Sequence, residues 1–400
     1  MAQMLCLVSS ITGGDTFFYP SFTAPKDGHR FQEDLKRLLQ REFGYEGVMR
    51  IRCSDGLRVL EHYGNFFMRN TTDIELAGID SEKAIAVQLR HDSQLDDKVE
   101  AVFQCALLYT RADGQRRIRV HNLSIPVTTV MGNVFRHADL DTSVNYLLKA
   151  AMVEALTHPL KNVRDQLTEK CVQVLASYRR NCATSTSPGQ LILPESFKLF
   201  PLITVAMLKT MALRPCQAFS MDARIYTMRL LRSMPVYDSV AYLYPHLYSI
   251  HDMDRTAGEP DANGHIKLPE LVRVSYERLA PFGVYLLENS QVMALWIGYQ
   301  TPAEIVKQLF GVDSIDAIDS TLAALPEIDS PLSHRLRAIA GALQSRHGRH
   351  LALRIVRQQL DPSEAEFASL LTEDKNNENM SYVDYLCYIH KQIQTEVSGR

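Results

Sequence analysis

The apolar residues of this chain change their period twice, and no single core accommodates all three patterns. From about residue 45 to 130 they recur at every second position. In Val48-Met49-Arg50-Ile51-Arg52-Cys53, Met49, Ile51 and Cys53 share one side and Arg50 and Arg52 the other, as a half-buried strand requires. The turn Ser54-Asp55-Gly56 followed by Leu57 to Tyr63 predicts a hairpin. Further strands are expected at 84–90, 101–110 and 116–127, the last two joined by Asp113-Gly114. Short strands separated by turn residues, with no helical run between them, predict an antiparallel β-sandwich.

Beyond Val130 the spacing becomes three or four. Asp141 is placed to cap a helix bearing Val144, Leu147, Leu148, Ala151 and Ala155, and a second helix follows Pro159 with Leu160, Val163, Leu167, Cys171, Val174, Leu175 and Tyr178 on one face. Residues 195–211 and 221–233, the latter behind Ser220, complete an all-α bundle. A stretch dense in Asp, Gly, Pro and Asn at 251–265 reads as a linker. Strands at 284–287, 292–297 and 351–357 then alternate with helices opening at Thr301-Pro302, Ser330-Pro331 and Asp361-Pro362, each with an N-cap oxygen and a proline at N1. Gly311 closes the first of these helices. The result is a small α+β module ending in an amphipathic helix over 381–397, with Tyr385, Leu386, Ile389 and Ile393 inward. Ahead of the sandwich a helix is expected over 30–43, its Phe31, Leu35, Leu38, Leu39 and Phe43 inward and Gly44 at its end.

Several function classes are excluded by composition and by missing motifs. A net charge of -3 over 400 residues is far from the basic balance of a nucleic-acid-binding chain. Cys6, Cys53, Cys105, Cys171, Cys182, Cys216 and Cys387 are dispersed, odd in number and without a C-x-x-C pair, which fits a reducing compartment and neither a zinc knuckle nor a disulfide framework. The most apolar run, Phe197 to Leu213, falls short of the roughly 20 apolar residues of a spanning helix. G-x-S-x-G, the P-loop, G-x-G-x-x-G and H-E-x-x-H do not occur, and Gly13-Gly14 leads into the extended, aromatic Asp15 to Pro20 instead of a helix N-terminus. His347, His350, His246 and His251, and the acidic groups Asp96-Asp97 and Asp313 to Asp319, are expected at the surface. The residues contain no catalytic constellation.

The chemistry that remains is arginine on strands. Arg50 and Arg52 leave one face of the first strand, Arg58 follows the turn, and Arg117, Arg119 and His121 form a period-two stripe further on. Taken singly, each is a solvated side chain with its stem over apolar surface. Taken with Leu57 at the turn, they offer forked donors for a carboxylate beside an apolar floor, the chemistry of a site for an acidic-aliphatic peptide.

The order of sandwich, bundle and α+β module resembles the C-terminal half of the cargo-adaptor subunit of the COPII vesicle coat. The wording is similar too. Thr12-Gly13-Gly14 with Phe18-Tyr19-Pro20 looks like the last strand of that family's trunk domain, and Met49 to Leu57 with Tyr63-Gly64-Asn65-Phe66-Phe67 looks like its sandwich hairpin. Gln115 to His121, Tyr244 to Met253, Val284 to Asn289, Leu295-Trp296-Ile297-Gly298, and Glu373-Asp374-Lys375 with Ser381-Tyr382 at the final helix extend the likeness over the whole chain. The resemblance implies a multidomain α+β fold: a trunk remnant at 1–44, a β-sandwich at 45–132, a helical domain at 133–250, the linker 251–265, a gelsolin-like domain at 266–365 and a C-terminal helical segment at 366–400.

It also implies a function without catalysis or cofactor in these residues, the family's structural zinc lying in a domain outside them. Expected partners are the GTPase-activating subunit of the inner coat, the small coat-recruiting GTPase indirectly, the cytosolic tails of cargo proteins and the endoplasmic reticulum membrane surface, with no nucleic acid. The family's acidic-signal pocket uses a leucine matched by Leu57, beside arginines that come largely from the trunk. A second family pocket uses an aromatic before the Glu-Asp-Lys element, nearest to Phe367, and some members read a short apolar signal near Leu191 to Pro194. A rival reading is a gelsolin-like actin- or peptide-binding module outside the coat, although no D-x-D-x-D calcium loop is present. The other rival is a hydrolase hidden in the bundle.

Overall fold

The computed structural model describes residues 2–183, 189–215 and 219–398; Cys216 and the middle of the polar 181–189 segment lie outside the described residues. Two helices come first, α1 (Ala2–Thr12) and α2 (Ala24–Gln40), then six strands: β1 (Phe43–Cys53), β2 (Leu57–Tyr63), β3 (Asp73–Asp80), β4 (Ala86–His91), β5 (Ala101–Arg111) and β6 (Arg116–Ile125). Helices α3 (Met131–His137), α4 (Leu140–Glu154), α5 (Leu160–Cys182), α6 (Phe200–Lys209), α7 (Met221–Ser233) and α8 (Val236–Leu243) follow. The remainder is β7 (His246–Ser249), β8 (Leu271–Val272), β9 (Val284–Glu288), β10 (Val292–Ile297), α9 (Ala303–Phe310), α10 (Pro331–Ser345), β11 (Ala352–Arg357), α11 (Glu364–Ser369) and α12 (Tyr382–Ser398). These elements form two compact units, one of residues 1–20, 41–237 and 383–400, the other of residues 21–40 and 238–382. The segments 1–44 and 366–400, expected as single pieces, are therefore each divided between the units.

In the first unit an antiparallel sheet of order β3-β1-β5-β6 faces a two-stranded sheet β2-β4. The expected β1–β2 hairpin does not form. Both edges of β1 are taken by β3 and β5, so the chain passes through Ser54 to Gly56 into the other sheet, where β2 pairs with β4. Gly56 makes that crossing at φ +86°, and a Cβ there would come within 2.7 Å of Leu95. Gly44 ends no helix: it lies in β1 against the Tyr109 ring, and α2 stops at Gln40. Met49, Ile74 and Leu76 form the buried centre, with Ile51, Cys105 and Leu107 packed around them. The β5–β6 hairpin turns at Gly114 with φ +82°, as Asp113-Gly114 predicts.

Residues 13–19 make no strand, and Phe17, Phe18 and Tyr19 are half-buried, Phe18 lying 5.4 Å from the Tyr226 ring of α7. In the bundle Asp139, not Asp141, caps α4 by accepting from the Thr142 N–H, while Ser220 caps α7 as expected. Every residue of α6 is buried, which explains its lack of a polar face. On α12, Tyr385, Ile389 and Ile393 are buried and the Tyr385 hydroxyl reaches Thr168 of α5 at 3.2 Å.

The second unit is built on a sheet of order β11-β10-β9-β7-β8, with β11 parallel to β10 and the other pairs antiparallel. Leu286, Leu295, Ile297, Leu336, Ile339 and Leu343 pack on one face, and Trp296, Tyr285, Val356 and Phe367 on the other. Ser330 caps α10, and Gly311 ends α9 in the left-handed region. Thr301 and Asp361 do not cap: the threonine hydroxyl donates to the Gly298 carbonyl, and the aspartate holds Arg357. The 251–265 segment is no free linker, because Arg335 of α10 donates to the Ala257 carbonyl and Ala257 is buried. Helix α2 turns opposite to expectation. Asp34 is buried whereas Phe31, Leu35 and Leu39 are exposed.

Candidate functional site

The end of the sandwich where β1 passes into β2 collects the charged and apolar groups singled out by pattern. Arg50 and Arg52 are exposed and Met49 is buried, so the alternation along β1 holds. Arg50 is committed locally: its Nε and Nη2 donate to the two carboxylate oxygens of Asp73 on β3, both at 2.6 Å. That fork, with a further donor from Asn70, holds the Asp73 carboxyl below the usual carboxylate range, and the same bond raises Arg50. Arg58 on β2 pairs with Arg90 of β4, and its Nε is 3.0 Å from Asp92. Of the three arginines, Arg52 has no hydrogen-bond or ion-pair partner among the described residues, and its charge only adds at longer range to that of Arg50 in favouring ionised Asp73. Its neighbours across the sheet are Gln104 and then Asn122, which bond each other at 3.2 Å.

Leu57 is half-buried immediately after Gly56, its N–H donating to the Ser54 carbonyl at 3.3 Å and its carbonyl accepting from the Cys53 thiol. The turn thus sets an aliphatic side chain at the same end of the sandwich as an uncommitted guanidinium. Arg117, Arg119 and His121 do not join this face. In the ladder they sit opposite Tyr109, Leu107 and Cys105, on the other side of the sheet from Arg52.

Phe367 has a packing role in this structure. It is 2% exposed and its ring stacks on Trp296 at 6.3 Å, leaving no open face for a ligand. Glu373 and Asp374 are also structural: Glu373 accepts from the Tyr244 hydroxyl at 2.7 Å and from Arg273, and Asp374 accepts from the Tyr276 N–H. Leu191 and Ile192 line a cavity of about 320 Å³ with Ile393 and Val397 of α12, and Arg180 at its rim is bound to Glu396.

The histidines expected at the surface are the largest departure. His347 is buried between two carboxylates, its Nδ1 2.8 Å from Asp238 and its Nε2 3.1 Å from Glu288, which also receives His246 Nδ1 at 2.9 Å. Burial works against a charged His347, but the bonds to Asp238 and Glu288 outweigh it and raise the imidazole to about 9. Burial likewise opposes ionised Glu288, and His246, His347 and the Ser290 N–H outweigh it, holding the carboxyl at about 2. No spacing rule links residues 238, 246, 288 and 347, so this cluster was invisible to motif reading. Among the described residues, no three His, Cys, Asp or Glu side chains are grouped to hold a metal.

A β-sandwich, a helical bundle and an α+β module thus follow one another along the chain. The chain matches the Sec23/Sec24 beta-sandwich domain over residues 44–128, the Sec23/Sec24 helical domain over 139–241 and the gelsolin repeat over 265–339. It belongs to the Sec23/Sec24 family. It is 40% identical to human protein transport protein Sec24C over 98% of its own length and 35% of that protein, and 38% identical to SEC24 B of Arabidopsis thaliana over 97% and 35%. The crystal structure of the human COPII-coat protein Sec24c superposes with a TM-score of 0.92 at 39% identity, covering 99% of this chain and 52% of that one. The chain therefore spans about a third of the curated relatives it matches.

Proposed function

We propose that these residues form the signal-reading portion of a COPII coat subunit that selects cargo for transport from the endoplasmic reticulum to the Golgi, without catalysis and without a cofactor of their own. The working partners are the GTPase-activating subunit of the inner coat, the small GTPase acting through it, and cytosolic tails of cargo presented at the cytosolic face of the membrane. Among the described residues no helix is long and apolar enough to cross a membrane, which fits peripheral attachment. The observation that carries the site is the contrast among the arginines: Arg50 and Arg58 are held by Asp73 and Asp92, and Arg52, on the strand that leads into the half-buried Leu57, has no hydrogen-bond or ion-pair partner among the described residues. A guanidinium without an internal partner is the group available to an acidic residue of a peptide. The Leu191–Ile192 cavity supports a second, apolar signal site. The actin-binding rival loses ground because the gelsolin match covers only residues 265–339 of a chain whose likeness to Sec24 relatives covers 98% of it.

The test uses the full-length protein with Leu57→Trp and Arg52→Ala. Filling the apolar floor should abolish binding of acidic-aliphatic peptides, and removing the guanidinium should weaken it by an amount that shrinks with salt, because screening acts over about 8 to 10 Å at ordinary ionic strength. Both variants should melt with the parent. A lower melting temperature with unchanged peptide selectivity would return both residues to a purely structural role.

A further inference from the structure

Arg50 and Arg52 leave one face of β1 two residues apart, the spacing of about 6.6 to 7 Å at which side chains of an extended peptide also recur on one side. Two forked donors so placed suit two carboxylates at alternate positions of a peptide lying along the strand. Only one of them is open. Asp73, the residue opposite Arg50 in the β1–β3 ladder, meets its Nε and Nη2 with both carboxylate oxygens at 2.6 Å. That carboxylate is itself held in place. The Asn70 side-chain amide donates to it at 3.0 Å, and the Asn70 side-chain oxygen accepts from the Asp73 N–H at 2.7 Å and from the Thr72 N–H at 2.9 Å. The ladder ends at the Arg50 and Asp73 pair, so β3 sets no residue opposite Arg52. On the other side of β1, Gln104 is turned to Asn122.

We propose that Asp73 is a specificity-determining residue, an internal carboxylate that occupies Arg50 and restricts the sandwich site to one acidic residue of a peptide signal. This role rests on the reading of Arg52 and Leu57 as that site, and it adds what the site refuses. A peptide carboxylate reaching Arg50 has to displace a bidentate partner fixed by Asn70, and it meets a like charge while Asp73 stays. Without the Asp73 charge, Arg50 and Arg52 face the peptide together. Acidic residues adjacent in sequence cannot use both, because successive side chains of an extended chain point to opposite sides. The Arg50–Asp73 pair is open to solvent, so its removal changes what binds and not whether the chain folds.

Two peptides of identical composition and net charge, with two acidic residues either adjacent or one residue apart ahead of an aliphatic residue, would be titrated calorimetrically into the full-length protein with its coat partner. Wild type should bind the two alike. Asp73→Asn and Asp73→Ala, the second leaving no side-chain acceptor for Arg50, should both prefer the alternate spacing about fivefold. Adding Arg50→Ala should erase that preference, and every variant should melt with the parent. A wild type that already prefers the alternate spacing, Asp73 variants that treat the two peptides alike or bind neither, or a preference that survives Arg50→Ala would overturn the proposal. Leu57→Trp separates this role from the site itself. Loss of all binding with Leu57→Trp, beside Asp73 variants blind to spacing, would remove the role of Asp73 and leave the sandwich site standing. An Arg50-dependent spacing preference that persists in Leu57→Trp would keep the role of Asp73 and take Leu57 out of the site.

Discussion

Replacing His347 by glutamine removes the cation between two buried carboxylates, and the cost is set by the proton that the histidine carries. His347 and Glu288 side chains are both 0% exposed, so solvent does not screen the pair. In the unfolded chain the imidazole titrates near 6.5 and in the fold near 9, so protonated His347 favours the folded state. Its contribution is complete below the unfolded value, and it is lost as pH rises through the folded value. That rise in proton affinity is worth on the order of a few kcal/mol, nearly all of it present at pH 6, part of it at pH 7.5 and almost none at pH 9.5.

The assay is urea unfolding at those three pH values, followed by the fluorescence of the chain's one tryptophan. Trp296 is fully buried in the second unit, so its emission reports that unit. Wild type should lose nearly all of that contribution between pH 6 and 9.5 relative to His347→Gln. The two should converge at high pH except for the cost of the lost bonds. Parallel pH profiles for the two proteins would show that folding leaves the proton affinity of His347 unchanged and would refute the ion-pair account.

Phe367→Ala should cost about 3 to 5 kcal/mol, because it opens a cavity beside Trp296; a variant of unchanged stability with selectively reduced peptide binding would instead make Phe367 a recognition residue. Lys149 is fully buried on α4, donates to the Arg232 and Met234 carbonyls at 2.8 and 2.7 Å, and is lowered to about 7 by burial and by Arg232 and Lys83. The unfolded state binds more protons between about 7 and 10.5, so this group's contribution to stability grows as pH rises through that window, and Lys149→Met should flatten that rise in denaturant titrations followed by circular dichroism. Arg50→Ala should leave stability nearly unchanged, since the Arg50–Asp73 pair is open to solvent and screened by salt, and a clear loss in the same titration would contradict that.

Local chemistry was legible wherever one short segment decides the outcome. Asp113-Gly114 turned the β5–β6 hairpin, Gly311 closed α9, and Ser220 and Ser330 capped their helices. Outcomes that depend on distant segments were not. Ser54-Asp55-Gly56 has the residues of a hairpin turn, but β3 and β5 occupy both edges of β1 and send β2 elsewhere. Strand β3 was missed because its alternation is carried by Ile74 and Leu76 alone among Asp73, Glu75 and Gly78. The candidate site shows the same division. Period two correctly separated Arg50 and Arg52 from Met49, but only the fold shows that Asp73 takes Arg50 and leaves Arg52 uncommitted. Thr301 and Asp361 had the right types and spacing for caps, and were drawn off by a carbonyl and a guanidinium that sequence spacing does not reveal.

The central claim, that Arg52 and Leu57 together receive an acidic-aliphatic cargo signal, is tested most directly by a charge exchange in the full-length protein with its coat partner. Cytosolic-tail peptides carrying an acidic-aliphatic signal, and the same peptides with the acidic residue changed to lysine, would be titrated calorimetrically into wild type and Arg52→Glu. The account predicts that Arg52→Glu loses the acidic peptide and gains the lysine peptide, with Leu57→Trp binding neither. Equal affinity of wild type and Arg52→Glu for both peptides would contradict it.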